Sequence, residues 1–175
     1  MIPNPFKRGV KVPDSVVRAA GLRPGERVLA GTQADGDAWL LGTHEALHVV
    51  RGSGEDLRIP WERVERADWD RDEERLVVSE VGEFGRVRPQ HSFAVEEPGL
   101  LLELVRERVT ASVVLQRRVA VRGKRGLTVI GRRPPGGDGE VAWAYEFDPG
   151  VDPEDPAVMA AAEAALRTAQ GDLGL

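Results

Sequence analysis

The chain has 175 residues, a net charge of −5, 41% hydrophobic residues and no cysteine. That length buries a core without metal or disulfide staples and holds one domain, with room for a small second one. The missing cysteine excludes disulfides, iron–sulfur clusters, thiolate zinc sites and cysteine nucleophiles. Residues 1–9 carry Lys7 and Arg8 with no apolar run behind them, and no window approaches the roughly 18 apolar residues of a spanning helix, which predicts a cytoplasmic protein.

The spacing of Val16, Val17 and Ala20 predicts a short helix over residues 13–20, stopped at Gly21 and followed by a turn at Leu22-Arg23-Pro24-Gly25. Short β runs then follow between Gly, Asp and Pro: residues 26–33, 38–43, 46–51, 57–61, 64–70, 75–81 and 90–95. From Glu96-Glu97-Pro98 a helix begins, with Leu101, Leu104, Val105, Val109 and Val113 recurring at three and four, a stripe that closes over a sheet. A smaller β unit comes next: residues 119–121, residues 127–131, a Pro134-Pro135-Gly136-Gly137-Asp138-Gly139 loop, and residues 141–147. In that last run Val141, Trp143, Tyr145 and Phe147 alternate with Ala142, Ala144 and Glu146, which predicts one buried face. An alanine-rich helix ends the chain, and its narrow stripe of Val158, Ala162, Ala165, Leu166 and Ala169 calls for an apolar partner.

The charges are segregated along this order. Residues 106–133 carry nine basic side chains against Glu107 alone, and residues 134–175 carry nine acids against Arg167 alone. Clustered arginines beside strands are candidates for phosphates of nucleic acid or acidic lipid, with Arg117, Arg118, Arg122, Lys124 and Arg125 as the binding residues. Almost no aromatic residue lies in the belt to stack bases, and an acidic tail of matching size follows it, so pairing within or between chains is the simpler expectation.

The sharpest short motif is His44-Glu45-Ala46-Leu47-His48, an H-E-x-x-H match. In a zinc peptidase His44 and His48 hold the metal and Glu45 is the base, and this requires a helix that brings both imidazoles to one face. Gly42 and Gly52 bracket the motif and Val49-Val50 favour a strand, on which the two histidines stand roughly 13 Å apart. A turn at His44-Glu45 with a strand from Ala46 is therefore expected, and no cofactor with it.

The stretches Trp39-Leu40-Leu41-Gly42-Thr43, Ala46-Leu47-His48-Val49-Val50 and Arg58-Ile59-Pro60-Trp61-Glu62-Arg63-Val64, and the order of many short strands before one amphipathic helix, resemble pleckstrin-homology-like (PH-like) and GRAM-type domains. The chain is also similar to a family of uncharacterised actinobacterial proteins in Pro24-Gly25-Glu26-Arg27-Val28-Leu29, Ala67-Asp68-Trp69-Asp70 and residues 105–112, a resemblance that implies no activity. The first resemblance implies an α+β fold: an antiparallel PH-like sheet or partial barrel over residues 25–117, capped by a helix. An N-terminal segment (1–24) precedes it, and a β-hairpin and helix (118–175) extend it. The expected work is non-enzymatic, protein binding or self-association through a sheet edge or the terminal helix. The alternatives are an anion-binding belt and a small zinc peptidase.

Overall fold

The computed structural model describes residues 10–82 and 87–175; the basic stretch at residues 1–9 lies outside them. Among the described residues the fold is α+β, with open antiparallel sheets and three α-helices. Helix α1 (Asp14–Ala19) has an acid in its first turn and a base in its last, as the helix dipole favours. A four-stranded meander follows in the order β1 (Ala30–Gln33), β2 (Trp39–Gly42), β3 (Ala46–Val50), β4 (Leu57–Pro60). A 3₁₀ turn (Trp61–Arg63) leads into a second meander of three strands, β5 (Val64–Asp70), β6 (Arg75–Glu80) and β7 (Gln90–Ala94).

Burial of short apolar runs drives this part. All five residues of β3 are buried, and Leu40, Leu47, Val49, Ile59, Val64, Leu76 and Val78 meet in one core around Trp61. The Trp61 indole is fully buried, and its N–H donates to the Thr43 carbonyl at 3.0 Å, so the ring enters the core with its polar atom satisfied. Helix α2 (Gly99–Ser112) lays Leu101, Leu102 and Val105 on this core. It approaches β2 at Gly42, where a Cβ would stand 2.5 Å from Leu104 Cδ2 and 3.0 Å from Leu101 Cδ1. Gly42→Ala is accordingly expected to push α2 outward and cost about 1–3 kcal/mol, read as a lower urea midpoint with an unchanged slope.

The last part is a three-stranded sheet in the order β10 (Ala142–Phe147), β9 (Arg125–Arg132), β8 (Val113–Arg122), with helix α3 (Pro156–Asp172) on one face. Pro156 opens α3, and the Asp155 side chain caps it by accepting from the Ala157 N–H at 2.8 Å. Val158, Ala162, Ala165 and Ala169 pack on Leu127 and Val129, with Leu115, Val119, Trp143, Tyr145 and Phe147 half-buried around them. The alanine stripe expected to await a partner thus covers the chain's own sheet, because small side chains let a helix lie close over the three aromatic rings.

Two other boundaries differ from the sequence reading. The first strand begins at Ala30 rather than residue 26, since the Glu26 side chain turns inward instead of alternating along a sheet. Helix α2 ends at Ser112, and Val113, expected as the last member of its stripe, is the first residue of β8. The Ser112 hydroxyl donates to the Val109 carbonyl at 2.7 Å, and the Arg132 guanidinium reaches the same turn, so the helix is closed off where Val113-Val114 favours extended backbone.

Candidate interaction surface

Strand β8 carries three of the nine basic side chains of the belt, Arg117, Arg118 and Arg122. Its ten residues alternate between half-buried and exposed, with Leu115, Val119 and Val121 toward α3. Gly123, at φ +59°, and Lys124 turn the chain into β9, and Gly126 lies so close to β8 that a Cβ would stand 1.8 Å from the Val119 carbonyl oxygen. The ladder is irregular between Val113 and Leu115 and between Ala120 and Arg122, which adds twist at both ends.

The acidic tail folds back onto this strand. Arg118 grips Asp148 with both ends of its fork, at 3.0 and 2.6 Å, and donates to the Lys124 carbonyl at 3.0 Å. Arg117 pairs with Asp172 at the end of α3, and Arg122 with Asp155 at its start. Hydrogen bonds from Arg118 and then from the Gly126 N–H hold the Asp148 carboxyl down at about 2, and the carboxylate in turn raises the Arg118 guanidinium. Lys124 sits in the turn and Arg125 at the first position of β9, where its charge also acts on Asp148. Of the five belt residues singled out by sequence, three are thus brought onto carboxylates of the tail. Exposed pairs of this kind add little stability, so their main effect is to neutralise β8.

What β8 leaves open is its outer edge. It pairs with β9 on one side only and is the longest strand among the described residues. Val114, on its exposed face, is 40% accessible. A row of backbone N–H and C=O groups along such an edge is a template for another strand.

His44, Glu45 and His48 lie elsewhere, at the β2–β3 hairpin. The Thr43 hydroxyl oxygen accepts from the N–H groups of Glu45 and Ala46 at 3.2 and 3.1 Å, folding His44-Glu45 into a bend, and His48 is the middle residue of β3. The motif therefore forms no helical turn. The His48 ring is buried, with Nε2 2.9 Å from Glu26 Oε1. Glu26, whose side chain has no exposed surface, also accepts from the Thr43 hydroxyl at 2.5 Å and from the Arg23 N–H at 3.1 Å. Burial pushes its carboxyl up, but the bonds from Thr43, His48 and the Arg23 backbone outweigh it and bring it down to about 2. A carboxylate only accepts, so Nε2 of His48 carries the proton. Arg58 extends the cluster, its Nη2 3.8 Å from Glu26 Oε1 and 3.0 Å from Glu45 Oε2.

Sequence reading missed Glu26. Its local signal is the Arg23-Pro24-Gly25-Glu26 turn, in which the side chain caps the Arg23 N–H; its partners Thr43 and His48 lie 17 and 22 residues on. Among the described residues no three His, Asp or Glu side chains stand together as a metal-binding group, and no helix is long and apolar enough to cross a membrane. No family model matches the chain, and no curated protein or solved structure matches it either.

Proposed function

We propose that the protein is a non-enzymatic interaction module that associates by strand addition at the open edge of β8, with a second copy of the chain as the simplest occupant. The observation that carries this reading is the ten-residue β8, paired on one side only and neutralised by its own tail. Two such edges meeting antiparallel would join two three-stranded sheets into one of six, without the repulsion that bare arginines would impose. The order of a four-stranded meander, a three-stranded meander and then α2 supports reading this part as the PH-like module that the sequence resembles.

The belt as an anion receptor has less support, because Arg117, Arg118 and Arg122 already hold carboxylates. The zinc peptidase reading has less still, since His48 faces Glu26 from the middle of a strand. Hydrogen exchange checks the proposal: with rising protein concentration, amides of β8 should slow while those of β1 and β7 keep their rates. Equal protection at all three edges, or none, would count against it.

A further inference from the structure

We propose that a separate cleft, between the β2–β3 hairpin, β4, α2 and the loop at residues 134–137, takes a phosphate group that still bears a proton. The cleft has a volume of about 480 Å³, and Arg23, Arg58 and Arg108 line it together with His44, Glu45 and Glu62. Two of these arginines are poorly matched. Arg58 and Arg108 are mostly covered, at 23% and 18% side-chain exposure, yet the Nε of each is buried and meets no acceptor among the described residues. Among the described residues Arg108 is paired only with its neighbour Glu107, at 3.4 Å, a carboxylate that is itself 66% exposed.

Glu45 marks where an anion would go. Its Oε2 stands 3.0 Å from Arg58 Nη2 and 3.6 Å from Arg23 Nη1, so two guanidinium groups converge on one half-exposed carboxylate at the hairpin tip. An oxyanion with more charge and more acceptor oxygens than a carboxylate displaces it there, because fork-shaped donors favour such a group. Glu62 sets the chemistry further. Its Oε2 is buried without a donor, and it lines the same cleft. A carboxylate in that position repels sulfate, which has only acceptors at neutral pH, but accepts a hydrogen bond from the P–OH of hydrogen phosphate or a singly protonated phosphomonoester.

Calorimetric titration of the full chain with inorganic phosphate and with sulfate, at matched ionic strength, tests this. Phosphate is expected to bind at least about tenfold more tightly than sulfate. Arg108→Gln should weaken phosphate about tenfold, Glu45→Gln should strengthen it by removing the competing carboxylate, and Glu62→Gln should abolish the preference over sulfate. Unfolding midpoints of the three variants separate loss of binding from loss of fold, and Glu45→Gln supports the site by a gain that damage cannot mimic. Vesicles containing phosphatidate, compared with phosphatidylserine, identify the source: selective co-sedimentation that Arg108→Gln abolishes assigns a lipid headgroup, and phosphate binding without it assigns a soluble phosphate compound. Equal heats for phosphate and sulfate, or affinities that none of the substitutions changes, would overturn the proposal.

Discussion

Glu26→Ala is expected to destabilise the fold by about 3–5 kcal/mol, measured as the loss of unfolding free energy in urea. The size follows from what the substitution strands. The carboxylate has no exposed surface and receives three hydrogen bonds, from the Thr43 hydroxyl, the His48 ring and the Arg23 N–H, with the Arg58 guanidinium behind them at 3.8 Å. Removing it leaves the buried His48 imidazole without its acceptor, the Thr43 hydroxyl with only its longer bond to the Ala46 carbonyl at 3.2 Å, and a cavity in place of the side chain. Glu26→Gln keeps the volume and an acceptor oxygen, so it should cost less, about 1–2 kcal/mol. An alanine variant as stable as the wild type would mean that the network is not what anchors the chain before β1.

The same carboxylate gives the fold an acid dependence. Its folded value of about 2 lies below the ordinary 4.5, so the stability it contributes is complete above pH 4.5 and is lost as the pH falls from 4.5 toward 2. Asp148, held down at about 2 by Arg118 and the Gly126 N–H, titrates in the same direction. Glu26→Gln should therefore flatten part of the decline of the urea midpoint below pH 4.5, and combining it with Asp148→Asn should flatten more. A decline unaltered by either substitution would assign the acid sensitivity to other groups.

The second large effect is expected at Arg132, the buried arginine of β9, which is only 5% exposed. One end of its guanidinium donates to Ser112 Oγ at 3.0 Å and to the Val109 carbonyl at 3.4 Å, and the other to the Glu65 carbonyl at 3.1 Å. It thereby ties the last turn of α2 and the start of β5 to the three-stranded sheet. Burial pulls its guanidinium below its usual value, opposed by the charges of Glu65 and then Glu146, and an arginine in a protein stays charged throughout. Arg132→Ala should cost about 2–4 kcal/mol, from the lost bonds to Ser112 Oγ and the Glu65 carbonyl and the space vacated by the stem, while the Val109 carbonyl keeps the Ser112 hydroxyl as its donor. Arg132→Met keeps much of the stem, so the difference between the two variants separates packing from hydrogen bonding. The apolar residues form two clusters, one under α2 and one under α3, and the bonds of Arg132 run from the sheet of the second to elements of the first. In the alanine variant, hydrogen exchange should report amides of β8–β10 opening before those of β2 and β3, whereas a single cooperative loss would contradict the joint.

How much of this was legible in the chain depends on the range of the interactions. The strand reading of His44 to His48 rested on neighbours, the glycines on either side and Val49-Val50, and the hairpin obeys them. Six of the seven strands before α2 match the expected runs to within a residue at each end, because each is a short β-favouring run between turn residues. The complementarity of belt and tail was visible as charge, but the partners were not: Arg117 finds Asp172 across 55 residues and Arg122 finds Asp155 across 33. The first half of β8 was hidden for a local reason. Val113 continues the three-and-four spacing of α2, and the Arg117-Arg118 pair interrupts the alternation that would have marked a strand, so only residues 119–121 stood out. Glu26 was hidden for the opposite reason, since nothing near it in sequence shows that a charged side chain is fully enclosed.

The association of β8 edges is the claim on which the functional reading stands, and sedimentation equilibrium tests it most directly. Wild-type protein loaded at about 100 µM should sediment as a dimer, in an equilibrium little changed by salt because the strand's arginines are already neutralised. Val114→Lys, which places a charge on the exposed face of the edge, should sediment as a monomer with an unchanged unfolding midpoint. A wild type that stays monomeric at this concentration, or a dimer that survives Val114→Lys intact, would contradict self-association through β8.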